Sequence, residues 1–516
     1  MSNITSYSKT SKVKKVLFNT VILYIKIVLN MLISLITVPL VLRALGESDY
    51  GLYNLVAGII TMLSFLNASM AISTQRYCSV AIGEGNVEKL NKVYNVSIVL
   101  HFFIALVVVL IFEVFGYFAF DSFLNIPDGR MGVAKLIYQF LVVSTFFTIM
   151  SVPFSAVMNA KEDMLAFSII GIAEALLKLL IASLIVFSPI DRLTTYGLGL
   201  ALLSILITIV NRIYVRYKYK EFELNIKKYY SKDTLKDMGG FAGWNTFGAV
   251  AMIGRNQGIA IIMNMFYGTV VNAAYGIANQ VNGVLNYFSS TFQKALNPQL
   301  MQSEGENDRD RLIRISIISS KLSVLVLAMI AVPLIIEMPY ILKLWLKEVP
   351  DYTLNFCRLI LILSVIYQYS MGLMSSIQAV GKIKNYFLVI SALVLLNLPI
   401  SYYLMHIGLP PYYSLVVFII VELASFIFRL VYANKHVGIK TILFVKTAIL
   451  PSLGCIVLPL FVVVPITVIW TPSLLRLIVT FALYGCVYVS LAWLLAIPKQ
   501  QKVMIKNNYL NKLIKK

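Results

Sequence analysis

Apolar runs of about twenty residues recur along the whole chain, and that recurrence decides its fold class. A helix of about 20 apolar residues matches the hydrocarbon thickness of a bilayer. Fourteen such segments are legible, near 16–42, 51–74, 94–119, 136–158, 166–188, 197–214, 241–264, 273–296, 315–336, 355–380, 386–405, 413–433, 443–465 and 474–497. Only 13% of the 516 residues are charged and 59% are hydrophobic, against about 25% charged in a soluble domain. A transmembrane β-barrel would show ten-residue strands of alternating polarity, and none is visible. The expected class is an all-α polytopic membrane protein with about fourteen transmembrane helices.

The formal charge of +21 would suggest nucleic acid if the basic residues were clustered on a soluble domain. They are sorted by loop instead. With the N-terminus inside, cytoplasmic segments hold 28 Lys and Arg, including six in Lys499–Lys516, and outer loops hold six. That asymmetry is the positive-inside pattern. It places both termini in the cytoplasm and removes the need for a nucleic-acid partner. The basic C-terminal tail reads as a juxtamembrane segment beside anionic lipid. The run 16–42 is too long for a signal-peptide core and is expected to be retained.

Four cysteines (Cys78, Cys357, Cys455, Cys486) and three scattered histidines (His101, His406, His436) suggest neither a disulfide framework nor a metal site. There is no phosphate-binding loop, no Gly-x-Ser-x-Gly and no His-Glu-x-x-His. No enzyme and no cofactor are expected.

The longest polar interruption, 215–240, divides the chain. Residues 1–214 form a first group of six spans, 241–433 a second, and 434–516 hold two further spans and the tail. Six is even, so both groups start inside, as a parallel repeat requires. Tyr50-Gly51-Leu-Tyr-Asn54 opens the second span and Tyr275-Gly276-Ile-Ala-Asn279 the eighth; Val157-Met-Asn-Ala-Lys161 and Ile377-Gln-Ala-Val-Gly-Lys382 follow spans four and ten. These echoes point to duplication.

Several spans carry polar stripes. Asn279, Asn282, Asn286, Ser290, Gln293 and Asn297 fall within roughly 80° of arc at about 100° per residue. Lipid offers such a stripe no hydrogen bonds, so it should face other helices or a wet cavity. On the first span, Asn19, Lys26, Asn30 and Thr37 repeat the device. Lys26 either reaches back to the cytoplasmic interface or serves as a cavity cation; Arg255, deep in span seven, is either a structural pair or a second such cation. A guanidinium suits phosphate oxygens in bidentate fashion. Glu174 with Lys178, and Glu422 with Arg429, read by default as pairs on one helix face. The same two glutamates are the candidates for ion coupling, being acids placed well inside spans. Pro39, Pro153, Pro333 and Pro399 are expected to kink their spans.

Leu45-Gly46…Tyr50-Gly51-Leu-Tyr after a Pro39-bent first helix, Phe266-Tyr-Gly268…Ala274-Tyr-Gly276-Ile-Ala-Asn-Gln280 and Ala295-Leu-Asn-Pro298 together resemble the polysaccharide (Wzx-type) flippases of the multidrug/oligosaccharidyl-lipid/polysaccharide (MOP) exporter superfamily. The resemblance implies a MATE-like V-shaped fold, two six-helix lobes and two C-terminal helices. It implies alternating access that turns an undecaprenyl-pyrophosphate-linked oligosaccharide from the cytoplasmic to the periplasmic leaflet of the bacterial inner membrane, for surface polysaccharide or O-antigen synthesis. Na⁺ or H⁺ would drive it, and a polysaccharide polymerase would act next. Lys26 and Arg255 stand where such proteins carry cavity cations; Asn30, Asn279, Asn282, Asn286 and Gln293 complete the expected cavity wall.

Two relatives compete with this reading: a cation-coupled multidrug exporter, which would want acidic cavity residues, and a peptidoglycan-precursor flippase. A membrane-embedded glycosyltransferase would need clustered loop carboxylates, and Asp121, Asp128 and Asp351 are scattered. A non-transporting scaffold would not need polar stripes on its spans.

Overall fold

The computed structural model describes residues 2–61, 64–122, 126, 129–346 and 349–496; the basic tail Lys499–Lys516 lies outside them. Among the described residues there is no strand, and nearly every one is helical. Among the described residues ten helices are long and apolar enough to cross a membrane, or eleven if α11 (Thr353–Gln368) and α12 (Met371–Val380), bent by 43°, form one span. The chain is a multi-pass membrane protein.

The expected count of fourteen is not reached on apolar length alone. Residues 51–74 fall on α2 (Glu47–Thr61) and α3 (Ser64–Gly83), on either side of positions outside the description. Segments 241–264 and 273–296 belong to α9 (Lys232–Gly305), two polar-rich helices that meet at a kink at Gly268. A loop was expected at 265–272. The backbone leaves helical geometry only at Gly268, with φ 74° and ψ −166°. Glycine adopts this conformation without the strain a β-carbon would bring, so one residue replaces the loop.

Two compact units divide the chain: Met1–Ala249 with Met301–Asn307, and Val250–Leu300 with Asp308–Lys516. The division falls inside α9, past the expected boundary at 240/241.

In the first unit, α5 (Met131–Ala160) packs against α3, α4 (Val87–Ser122) and α7 (Arg192–Lys218), while α1 (Ser2–Leu45) lies along α6 (Met164–Leu184). Asp163 caps α6 by accepting from Ala166 N, the usual remedy for an orphan N–H at a helix start. The expected linker is fastened into this unit. Asn91 donates to Glu221 O and Asn95 to Glu223 O, and their side-chain oxygens accept from the backbone N–H of Glu223 and Asn225.

On α1 the polar positions are the covered ones. Asn19 is buried and Lys26 and Asn30 are half-buried, while Val21, Met31 and Leu35 are exposed. This inversion of a soluble helix is what a lipid-facing element requires.

In the second unit, α10 (Arg309–Trp345) packs against α11, α12 and α19 (Leu474–Leu491). Glu337, just past the expected end of span nine, is fully buried. It accepts from Arg476 Nη2 at 2.7 Å and Thr480 Oγ1 at 2.9 Å. Lys321 is buried, and its ammonium donates to Ala496 O at 2.6 Å. Pro399 lies just past a break at Leu396, where α13 (Lys384–Leu395) gives way to α14 (Asn397–His406).

Candidate functional site

Inside the first unit lies a cavity of about 600 Å³. Three helices face it with the same spacing: Phe167, Gly171, Glu174 and Lys178 on α6; Ser144, Thr148, Ser151 and Ser155 on α5; Ser204, Thr208 and Asn211 on α7. Steps of four and three residues hold each set within about 60° of arc. Lys26 enters from α1 and Asn67 from α3.

The Lys26 ammonium lies 3.7 Å from the centroid of the Phe167 ring and 3.5 Å from Phe167 O. It is therefore held by a cation–π contact. Glu174 accepts from Lys178 at 2.6 Å, as their spacing on one helix face suggests. The cavity thus holds two cations and one carboxylate. Asn30, one turn along α1 from Lys26, keeps a buried Oδ1 with no hydrogen-bond partner among the described residues.

The second unit repeats that charge tally in a drier setting. Arg255, on α9, is 8% exposed. Its guanidinium lies 4.4 Å from the centroid of Phe418 and donates to Asn256 Oδ1 at 3.0 and 3.1 Å. Glu422 and Arg429, both on α15 (Tyr413–Val437), form a buried ion pair that also engages Ser370.

The amide stripe of α9 is tied into helix packing. Asn282 Oδ1 accepts from Asn286 Nδ2 at 2.7 Å and from Ser364 Oγ on α11. Gln293, expected on the cavity wall, is buried. Its Nε2 donates to Ser375 Oγ at 2.5 Å, and its Oε1 accepts from Ser319 Oγ at 2.7 Å. Both ends of that amide are spent between helices, the alternative that a polar stripe in lipid always carries.

Sequence reasoning found Lys26, Glu174 and Lys178 but missed the hydroxyl faces of α5 and α7. The four-three-four spacing of Ser144, Thr148, Ser151 and Ser155 was the available signal. Weak hydroxyl polarity inside long apolar runs hid it. Glu337 was missed because its charge sits at a span boundary. Among the described residues no group of three or more His, Cys, Asp or Glu side chains could hold a metal.

Residues 23–184 match the MatE family model. No curated protein matches the chain. Solved structures do. An outward-facing multidrug resistance MATE family transporter of the MOP superfamily superposes with TM-score 0.69 at 12% identity, over 82% of this chain and 96% of that one. A MATE in the bent conformation gives 0.70 at 13%, over 85% and 97%. A MOP superfamily transporter from Pyrococcus furiosus, described by the reverse polarity of its binding pocket, gives 0.70 at 11%, over 82% and 96%. The chain has the fold of these transporters.

Proposed function

We propose that the chain is an alternating-access exporter of an anionic, sugar-bearing lipid. Its cargo is an undecaprenyl-pyrophosphate-linked oligosaccharide, moved from the cytoplasmic to the periplasmic leaflet of a bacterial inner membrane and passed on to a polysaccharide polymerase. The observation that carries this reading is Lys26, whose ammonium stands over Phe167 beside a polar cavity inside an apolar bundle. A lysine at bilayer depth costs about 2.5–3.5 kcal/mol on insertion scales. An anionic cargo gives that cost a purpose, because a pyrophosphate cannot enter hydrocarbon unaided.

In this reading Lys26 is the phosphate-binding cation of the first unit, and Arg255 is the candidate for that role in the second. Asn30, Asn279, Asn282 and Asn286 supply amides to sugar. Gln293 would have to give up both its helix contacts to reach cargo, so we assign it to holding α9 in place. Glu174 is the better candidate for Na⁺ or H⁺ coupling, since its partner Lys178 faces the same cavity; Glu422 is tied to Arg429 in a buried pair.

Complementing a flippase-null strain tests this. Lys26→Ala and Arg255→Ala should each reduce surface glycan at least tenfold while the protein remains in the membrane. Normal glycan export by both variants would overturn the assignment.

One observation favours a second reading, a cation-coupled drug exporter: Glu174 places a carboxylate on the cavity wall. That reading expects Glu174→Gln to abolish resistance to cationic compounds and Lys26→Ala to spare it.

A further inference from the structure

A second cavity of the first unit, of about 500 Å³, opens between α4 and α5. Its floor is aromatic. Tyr138 is 2% exposed, its ring centroid lies 5.3 Å from that of Phe120, and its hydroxyl donates to Phe112 O. A β-carbon on Gly116 would lie 2.6 Å from Tyr138 Cε1. The bare backbone at 116 lets the tyrosine ring settle against α4 and leaves a groove above it. Glu113 from α4, and Lys135 and Gln139 from α5, line that groove.

The groove does not face the cavity that holds Lys26. At about 100° per residue, Lys135 and Gln139 lie about 140–180° around α5 from Ser144 and Thr148. On α4, Leu110, Val114 and Tyr117 flank Glu113 and are 63%, 53% and 74% exposed; Leu136, beside Lys135, is 42% exposed. Large apolar side chains left uncovered on a membrane helix mark its lipid side, since acyl chains are as apolar as leucine. Glu113 therefore sets an exposed carboxylate on a lipid-facing surface.

A charge in that setting is costly and calls for a partner. Glu174, Glu337 and Glu422 each have a basic partner inside their own unit. Glu113 has none among the described residues. Its Oε2 accepts from Gln139 Nε2 at 3.0 Å, a neutral donor that leaves the charge uncompensated. The missing cation has to come from outside the chain.

Depth narrows the source. Glu113 lies nine residues before the end of α4, and Lys135 four residues after the start of α5. These are about 14 and 6 Å at 1.5 Å per residue. The 36 residues of α4 span about 54 Å, against about 40–45 Å for a bilayer with its headgroups. Both charges thus sit near the polar edge of the leaflet at that end. A phospholipid with a primary amine in its headgroup matches them. The ammonium offers N–H donors to Glu113, the phosphate accepts from Lys135, and the acyl chains lie along Leu110 and Val114. A choline headgroup carries the positive charge without an N–H. A glycerol headgroup carries no cation at all.

We infer that the α4–α5 groove binds an aminophospholipid of the surrounding bilayer, with its ammonium on Glu113 and its phosphate on Lys135. The site is separate from the transport cavity, and its ligand is a membrane lipid in place of a cargo.

The test titrates the full-length protein in detergent with the palmitoyl-oleoyl forms of phosphatidylethanolamine, phosphatidylcholine and phosphatidylglycerol and reads the first bound lipid by native mass spectrometry. Phosphatidylethanolamine should bind about tenfold tighter than phosphatidylcholine, the factor that one hydrogen bond to a charged group supplies. Glu113→Gln should remove that preference and leave phosphatidylcholine binding unchanged. Lys135→Gln should weaken both lipids by the same factor. Free ethanolamine and tetraphenylphosphonium should displace neither. Equal binding of the two lipids by the wild type, which a protonated Glu113 satisfied by Gln139 would give, would overturn the inference. So would a preference that survives Glu113→Gln, wild-type affinity in Lys135→Gln, phosphatidylglycerol binding as tightly as phosphatidylethanolamine, or displacement by either free cation.

Discussion

The Lys26 ammonium occupies the space that a side chain at Gly171 would fill. A β-carbon on Gly171 would lie 2.6 Å from both Cε and Nζ of Lys26, closer than atoms can approach. The lysine crosses α6 because position 171 has no side chain. Gly171→Val should displace the ammonium from Phe167 and reproduce the Lys26→Ala transport defect with normal membrane insertion. Gly171→Ala should give a weaker loss, since the lysine tip can move. Equal transport by Gly171→Val and the wild type would show that the lysine's position is immaterial.

Glu422 and Arg429 form a pair whose side chains are 4% and 2% exposed. Removing one member of a buried pair leaves an uncompensated charge and costs about 3–5 kcal/mol. Glu422→Gln should therefore lower thermal stability sharply, and Glu422→Leu combined with Arg429→Leu should recover most of the loss. A folded, stable Glu422→Gln protein that has lost only its ion dependence would instead make this glutamate the coupling site.

Asp163 gathers Lys218, Tyr214 and Tyr219 on one carboxylate oxygen, at 2.7, 2.8 and 2.5 Å. Burial pushes its pKa up, but the bonds from Lys218, Tyr219 and Tyr214 outweigh burial and hold it below the ordinary value. A folded-state pKa below the unfolded one adds stability above the unfolded value, about 3.9, and loses it as pH falls through the folded one. Asp163→Asn should cost about 1–2 kcal/mol at neutral pH. The difference in Tm from the wild type should shrink below about pH 4. A gap independent of pH would contradict this account.

Gln293 should behave as a packing residue. Gln293→Leu leaves Ser319 and Ser375 without their amide partner in a buried site, at a cost of about 1–3 kcal/mol. It should lower Tm more than it lowers the transport rate of the protein that remains folded. The reverse order would return Gln293 to the cargo path.

What the sequence disclosed depended on how strongly each feature was enforced. Apolar length is enforced by the bilayer, so ten spans were readable and agree with helices long enough to cross it. Segments 241–264 and 273–296 were read as two helices joined by residues 266–272; the structure separates two helices at Gly268, inside that stretch, and a single glycine of positive φ carries no wider signal of how short the joint is. The pair Glu174–Lys178 was legible from a four-residue spacing. Glu337 and Arg476 lie 139 residues apart, a contact that no local pattern announces. The stripe on α9 was found, but periodicity alone does not say whether a polar face meets water or another helix; Ser319 and Ser375 decide that for Gln293.

The most direct measurement reconstitutes the full-length protein in liposomes with a fluorescent undecaprenyl-pyrophosphate-linked oligosaccharide in the inner leaflet and follows its appearance outside. The wild type should move it under an ion gradient, and Lys26→Ala should slow it at least tenfold with little effect on an uncharged lipid-linked sugar. Equal rates for wild type and Lys26→Ala, or transport of cationic drugs in place of the lipid, would contradict the account.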